Sequence, residues 1–143
     1  MYKYIWILIL GITVAFASCE KNNDVRDDNS LKLAFSSDTI TFDTVFTTIG
    51  SSTRQLMIYN NNTENLKISS IRLEGGNQSQ FTINVDGESG YDFSDIEIYS
   101  KDSLYVFIRV TVNPDDQNTP FFVEDRLIFE TNNNEQIVNL TAY

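Results

Sequence analysis

The sequence predicts an all-β protein, an antiparallel sandwich of about seven to nine strands that follows an N-terminal leader. Apolar and polar residues alternate with period two along most of the chain after Ser30. No stretch of that region keeps apolar residues at helical spacing for the length of a helix. Clusters of Asn, Asp and Gly interrupt the alternation roughly every 8–15 residues, and no disulfide is expected from a single Cys. This pattern is typical of an immunoglobulin-like sandwich, and periodicity alone leaves a small barrel as the alternative.

Each strand follows from a run of alternating residues. In residues 66–73 the apolar parity changes at Ser69 and Ser70, so we predict a β-bulge or a strand bend there that keeps both halves facing the core. The clearest run is 104–112. The residues that we predict to be inside are Leu56, Ile58, Leu104, Val106, Ile108 and Val110. The alternating runs, in chain order, are 31–35, 56–59, 66–73, 81–85, 104–112 and 136–140.

Residues 1–18 are typical of an export signal. Lys3 precedes a 13-residue apolar run at 4–16, which is shorter than the about 20 residues that a membrane-spanning helix needs. Small residues follow, and the junction resembles the lipobox of bacterial lipoproteins. The resemblance implies cleavage between Ser18 and Cys19 and lipidation of Cys19. A plain secretory signal and an uncleaved anchor are the alternatives.

The net charge of the mature chain limits the classes of partner that it can bind. Without Lys3 it has nine basic and 20 acidic residues, a net charge of −11. Such an acidic surface argues against nucleic acid, or a membrane held by charge alone, as a partner. The absence of His and the single Cys exclude chemistry built on imidazole and metal sites built on thiolates, and we expect no catalytic residues, no metal and no cofactor. Residues 19–30 are predicted to be a flexible acidic tether, and 31–143 the sandwich.

The order of the apolar segments supports a more specific comparison. It resembles the immunoglobulin-like domains of the ASPM–SPD-2–Hydin and choice-of-anchor D group, and in particular the N-terminal module of Bacteroidetes surface lipoproteins. The resemblance implies a lipid anchor in the bacterial outer membrane, facing the periplasm or the cell surface, and a protein partner or downstream domain. It supplies no catalytic residues. The segments that carry it are Phe42-Asp-Thr-Val-Phe46, Gly75-Gly76, Gln80-Phe-Thr-Ile83, 102–110 with Asn113-Pro114, 124–131 and 136–140.

Two sets of side chains are candidate sites. Tyr105 and Phe107 point opposite the apolar row of their strand, and Phe121 and Phe122 lie in a predicted loop, so Tyr105 and Phe107, or Phe121 and Phe122, could form a glycan platform. Packing within the sheet or against a neighbouring domain is the alternative. Three Asp-Ser/Thr-aliphatic triplets are similar to the O-glycosylation motif of Bacteroidetes exported proteins, and their hydroxyl residues are Thr39, Thr44 and Ser103.

Two further patterns bear on a metal site and on a docking surface. Asp86, Glu88, Asp92 and Asp95 offer the oxygen ligands that Ca²⁺ prefers, but their spacing fails the EF-hand pattern, and a solvated acidic hairpin is the better interpretation. The last strand, 136–143, ends without a charged residue, so Ile137 beside Tyr143 is predicted to form a docking seam at a sheet edge. The alternative is a strand paired in the middle of a sheet.

The function expected from the sequence is therefore that of an exported, membrane-anchored lipoprotein that carries a non-catalytic interaction or spacer module. A glycan-binding lipoprotein of a Bacteroidetes uptake system is the alternative. An enzyme is not expected.

Overall fold

The computed structural model of the protein describes Val25 and residues 28–43, 53–111 and 122–143. Ten strands and one 3₁₀ helix are found in this part of the chain. Since that helix has only three residues, no helix among the described residues is long and apolar enough to cross a membrane. The elements are β1 (Ala34–Phe35), β2 (Thr39–Phe42), β3 (Arg54–Tyr59), β4 (Leu66–Leu73), η1 (Gly76–Gln78), β5 (Phe81–Val85), β6 (Glu88–Gly90), β7 (Asp92–Ile98), β8 (Ser103–Val110), β9 (Val123–Thr131) and β10 (Asn134–Ala142).

The strands form two sheets of five. Sheet one has the order β1-β3-β8-β5-β6, and sheet two has the order β2-β10-β9-β4-β7. All neighbours are antiparallel except β2 and β10, which run parallel. The predicted sandwich is confirmed and the barrel alternative is excluded, with this one parallel pair as the exception. The structure has ten strands instead of the predicted seven to nine, because it includes β1 and β6, which have only two and three residues.

The core lies between the two sheets. Five of the six residues predicted to be inside are buried, among them Ile58 and Ile108 at 0% exposure. Leu104 is only half-buried, because β5 pairs with β8 from Val106 onward and leaves Leu104 covered by β3 alone. Sheet two contributes Leu127, Phe129, Val138 and Leu140 from its central strands to the same core.

The predicted β-bulge in β4 is confirmed. Ile68 pairs with Thr131 and Ser70 pairs with Glu130, so Ser69 is the extra residue. Its hydroxyl donates a hydrogen bond to the Glu130 carbonyl, at 2.9 Å. Because of this extra residue, Ile68 and Ile71 both face the core and are fully buried.

Two hairpins have two-residue turns in the left-handed region. Asp86 and Gly87 connect β5 to β6 with φ of 52° and 89°, and Asn132 and Asn133 connect β9 to β10 with φ of 51° and 58°. Positive φ at both central residues matches the twist of the flanking strands, and Asp, Asn and Gly adopt it most readily. Strand β6 begins directly after the first of these turns, at Glu88.

Candidate interaction surfaces

The segment before β1 is hydrogen-bonded to the body of the domain. We call residues 28–33 the strap. The Asn132 and Asn134 side-chain amides donate to the carbonyls of residues 28 and 29, at 3.1 and 2.9 Å. Gln136 holds both backbone groups of Leu33: its Nε2 donates to the carbonyl at 2.9 Å, and its Oε1 accepts from the N–H at 3.0 Å. Side-chain amides thus replace a backbone ladder beside this half of β10.

The contacts of the N-terminal segment begin before the strap. Val25 forms a parallel bridge with Asn65, which precedes β4. The part of the expected tether that the structure describes, Val25 and residues 28–30, therefore touches the domain. Cys19, Ser18 and the remainder of that tether lie outside the described residues.

Gln136→Glu tests how firmly the strap is held. The carboxylate keeps an acceptor for the Leu33 N–H but loses the donor to the Leu33 carbonyl. We therefore expect the free energy of unfolding to fall by about 1–2 kcal/mol. Hydrogen exchange at Leu33 should accelerate, and urea unfolding should report the lower stability. Gln55→Glu makes the same chemical change at an exposed position of β3 and should alter neither. Unchanged protection at Leu33 would show that Gln136 does not hold the strap.

The strap contacts one end of the sandwich, and β10 ends at the opposite end. We call the first the strap end; its loops are residues 60–65, 99–102 and 132–133. The far end contains Phe122, Tyr143 and the 74–80 connection. β10 has nine residues and runs from one end to the other, which separates them by about 30 Å.

Asn60 joins the loops of the strap end. Its side chain is fully buried, and its Nδ2 donates to the carbonyls of Glu64, Ile98 and Tyr99 at 2.8, 3.1 and 3.1 Å. Its Oδ1 accepts from the Asn62 N–H at 3.0 Å and from the Asn62 side chain at 2.9 Å. One buried amide therefore satisfies backbone groups of two loops that are about 40 residues apart in sequence.

Tyr105 and Phe107 lie together on the outer face of sheet one. Their ring centroids are 6.3 Å apart with 21° between planes, and both side chains are about two fifths exposed. Beside Phe107 is a groove of about 390 Å³, lined also by the polar side chains of Thr82, Asn84 and Arg109. An aromatic surface next to hydrogen-bonding groups can stack on one face of a sugar ring and bind its hydroxyls.

Phe122 does not join that surface. It precedes β9, which belongs to sheet two, and its ring packs against Tyr143 with centroids 5.1 Å apart. Phe122 is 40% and Tyr143 is 60% exposed. Of the aromatic residues expected from the sequence, Tyr105 and Phe107 thus lie on sheet one and Phe122 lies beside sheet two, and Phe121 lies outside the described residues.

A second groove, of about 890 Å³, lies at the far end between sheet two and the 74–80 connection. Arg126 is paired with Glu74, and Asp125 accepts hydrogen bonds from the Gly75 N–H and from Ser79 Oγ. Local sequence patterns give no sign of this groove, because its ion pair joins residues 52 positions apart. Thr39 and Gln80 also line it.

The Arg126 guanidinium holds the pKa of Glu74 below its usual value by hydrogen bonding to the carboxylate. The carboxylate in turn raises the pKa of Arg126. Because the pKa of Glu74 is lower in the folded state, the stabilisation from this pair is present at neutral pH and is lost as the pH falls through the folded pKa. The pair is solvent-exposed, so its contribution is small and is screened by salt.

The hydroxyls expected to be glycosylated lie at strand beginnings. Thr39 opens β2 and Ser103 opens β8, and both are partly exposed. The Ser103 backbone N–H donates a hydrogen bond to Asp102 Oδ1, at 2.7 Å. Thr44 lies outside the described residues.

The expected docking seam at the last strand was wrong in one respect. β10 is paired on both sides, with β9 along its length and with β2 over residues 139–142, so it is not a sheet edge. The sequence pattern does not reveal the pairing of β10 with β2, because β2 is about 100 residues earlier in the chain. Ile137 and Tyr143 are nevertheless exposed, at 38% and 60%.

The acidic residues near the β5–β6 hairpin do not form a metal site. Asp86 occupies the turn, Glu88 lies on β6, and Asp92 and Asp95 lie on β7. Asp95 pairs with Lys67 at 2.5 Å. Among the described residues, no group of three or more His, Cys, Asp or Glu side chains could hold a metal ion.

The chain was compared with known proteins. No family model matches it, and no curated protein matches it in sequence. A protein of unknown function from Porphyromonas gingivalis has a similar structure, with TM-score 0.60 and 12% identity over 77% of this chain and 45% of that one. The Escherichia coli chaperone DraB matches with TM-score 0.51 and 11% identity, over 78% and 54% of the two chains.

A family 123 glycoside hydrolase from Clostridium perfringens is also similar, with TM-score 0.51 and 9% identity over 78% of this chain and 27% of the enzyme. The chain thus spans about half or less of the length of these three proteins. At such identities the likeness concerns the fold alone. The chain is an immunoglobulin-like β-sandwich, which is the fold implied by its resemblance to the ASPM–SPD-2–Hydin group.

Proposed function

We propose that this protein is an exported lipoprotein, anchored through Cys19 in the bacterial outer membrane, whose sandwich is a non-catalytic interaction and spacer module. The observation that carries the proposal is the placement of the two ends. The N-terminal segment docks at the strap end through Asn65, Asn132 and Asn134, whereas Tyr143 lies at the far end. A domain entered at one end and finished at the other holds its far surface away from the point of attachment.

Cys19→Ala tests the anchor. In cells that process lipoproteins, the unchanged chain should enter the membrane fraction with a mature N-terminus at Cys19 and the added mass of acyl chains. Two or more acyl chains give stable membrane attachment, whereas one holds only marginally. Cys19→Ala should lose the acyl mass and leave the membrane fraction, and Ser18→Ala, which keeps a small residue at the junction, should behave as the unchanged chain. A mature form that begins at another residue would contradict the anchor.

The far end is the surface that we propose for a protein partner or a downstream domain. Phe122 and Tyr143 are exposed aromatic side chains in contact with each other, and aromatic residues are enriched in protein interfaces. That DraB is a chaperone supports an interaction role at the level of the fold. A photo-crosslinking residue at Tyr143 should capture a protein in the membrane fraction, whereas the same residue at Tyr99, at the strap end, should not capture it.

The absence of catalysis is part of the proposal. The sequence contains no His, and its one Cys lies at the export junction. General-base activation of a Ser or Thr nucleophile by imidazole is therefore not available to this chain. The likeness to one domain-sized part of a glycoside hydrolase concerns fold and brings no catalytic residue with it.

Glycan binding is the second candidate, and the stacked Tyr105 and Phe107 rings favour it. On a glycan array, the domain should show saturable binding that Phe107→Ala reduces about 5- to 30-fold, since stacking on an aromatic ring contributes on the order of 1–2 kcal/mol. Phe122→Ala is the matched control, because Phe122 lies on the other sheet. Equal losses for both variants, or no binding, would argue against this surface.

A further inference from the structure

We propose that the strap end of the sandwich lies against the lipid headgroups of the membrane that holds the Cys19 anchor, with the long axis of the domain directed away from it. This inference rests on the proposed lipidation. It adds to it an orientation, a contact surface and a short distance between domain and membrane.

The number of residues between Cys19 and Val25 limits the distance between the membrane and the domain. Val25 is already paired with Asn65 at the strap end. Six residue steps separate Cys19 from Val25, and a fully extended chain covers at most about 20 Å in six steps. If all of residues 19–30 were free, the reach to the domain would be about 40 Å. The bridge to Asn65 thus halves the distance available between the anchor and the body.

The strap fixes the end of the domain at which the chain from Cys19 arrives. Asn132, Asn134 and Gln136 hold the backbone of residues 28, 29 and 33 along β10. These contacts align the incoming chain with the long axis of the sandwich. The strap end is then the part of the domain closest to the anchor along the chain, and the far end lies about 30 Å beyond it, the length of a nine-residue strand.

The chemistry of the strap end suits a headgroup layer. Its three loops contain six asparagines and only three charged residues, namely Glu64, Lys101 and Asp102. A nearly neutral surface approaches anionic headgroups with less repulsion than the acidic remainder of the chain. Tyr99 is 42% exposed at this end, and its apolar ring with a polar hydroxyl is suited to the boundary between water and lipid.

Single tryptophans can measure the orientation, because the only Trp of the sequence is Trp6 in the leader. Tyr99→Trp places the reporter at the strap end, and Phe122→Trp places a matched reporter at the far end. The processed lipoprotein would be reconstituted into vesicles that contain headgroup spin-labelled phospholipid. We expect Tyr99→Trp fluorescence to be quenched several-fold more than Phe122→Trp fluorescence. A Gly-Ser insert of about 20 residues between Asp24 and Val25 should abolish the difference, because its fully extended length of about 70 Å allows either end of the domain to reach the headgroups.

The outcomes separate the two proposals. If the chain does not float with the vesicles, the lipid anchor and the orientation both fail. If it floats but the two reporters are quenched equally, the anchor stands and the orientation is wrong. If the difference persists after the insertion, the argument from the short reach is overturned.

Discussion

Ile108→Asp is expected to leave the domain unfolded in neutral buffer. Ile108 is fully buried in the middle of β8, with β3 on one side and β5 on the other. Among the described residues, the buried polar side chains are Asn60, Asn65, Thr131 and Asn132, and none of them is basic, so a carboxylate at position 108 would be an unpaired buried charge. Such a charge costs several kcal/mol or more, which is comparable with the whole stability of a domain, about 5–15 kcal/mol. Far-ultraviolet circular dichroism and thermal unfolding would measure the effect.

Arg109→Glu is the matched control for this prediction. Arg109 is the next residue of the same strand, but it is exposed on the outer face of sheet one. Reversing its charge should change stability by less than about 0.5 kcal/mol, as for other surface substitutions. A cooperative, native-like unfolding transition for Ile108→Asp would contradict the placement of β8 in the core. Partial recovery of folding at acidic pH would agree with it, because the protonated side chain carries no charge.

Asn60→Leu is expected to cost about 2–4 kcal/mol, since each buried polar group left without a partner costs about 1–3 kcal/mol. Leucine has a similar size, but it leaves the Glu64, Ile98 and Tyr99 carbonyls without their side-chain donor. It also removes the acceptor of the Asn62 N–H. Urea unfolding would give the change in free energy, and hydrogen exchange at Asn62 would show whether the loop has opened.

The adjacent residue provides the control. Asn61 is exposed, so Asn61→Ala removes an amide from the same loop without removing a buried one. Its stability should stay within about 0.5 kcal/mol of the unchanged domain. If Asn60→Leu were equally mild, the buried amide would not be what joins the strap-end loops.

The sequence predicts those parts of the fold that depend on residues close together in the chain. Alternation places Ile58, Val106 and Ile108 inside, and the change of parity at Ser69 locates the bulge, because the side-chain period of a strand is fixed at two. Leu104 shows the limit of this reasoning. Alternation predicts which face of the strand Leu104 lies on, but its exposed fraction depends on how far the neighbouring strand β5 extends.

Contacts between distant parts of the chain could not be predicted in this way. β2 pairs with β10 across about 100 residues, and Gln136 reaches Leu33 across 103. Short apolar runs do not specify their partners, and an asparagine or glutamine in a loop gives no sign of the carbonyl that it will meet. The separation of Phe122 from Tyr105 and Phe107 has the same cause, because it depends on which sheet each strand joins.

The four outermost strands bear on how copies of this protein behave when crowded. β1 and β6 are too short to recruit another strand, with two and three residues. β7 carries Asp92, Asp95 and Glu97, and Asp95 has a φ of 60° that interrupts regular pairing. On β2, the Ser37 hydroxyl bonds both the N–H and the carbonyl of Thr39. A membrane anchor would concentrate these domains in two dimensions, where an open strand would promote amyloid-like stacking, and these features oppose it.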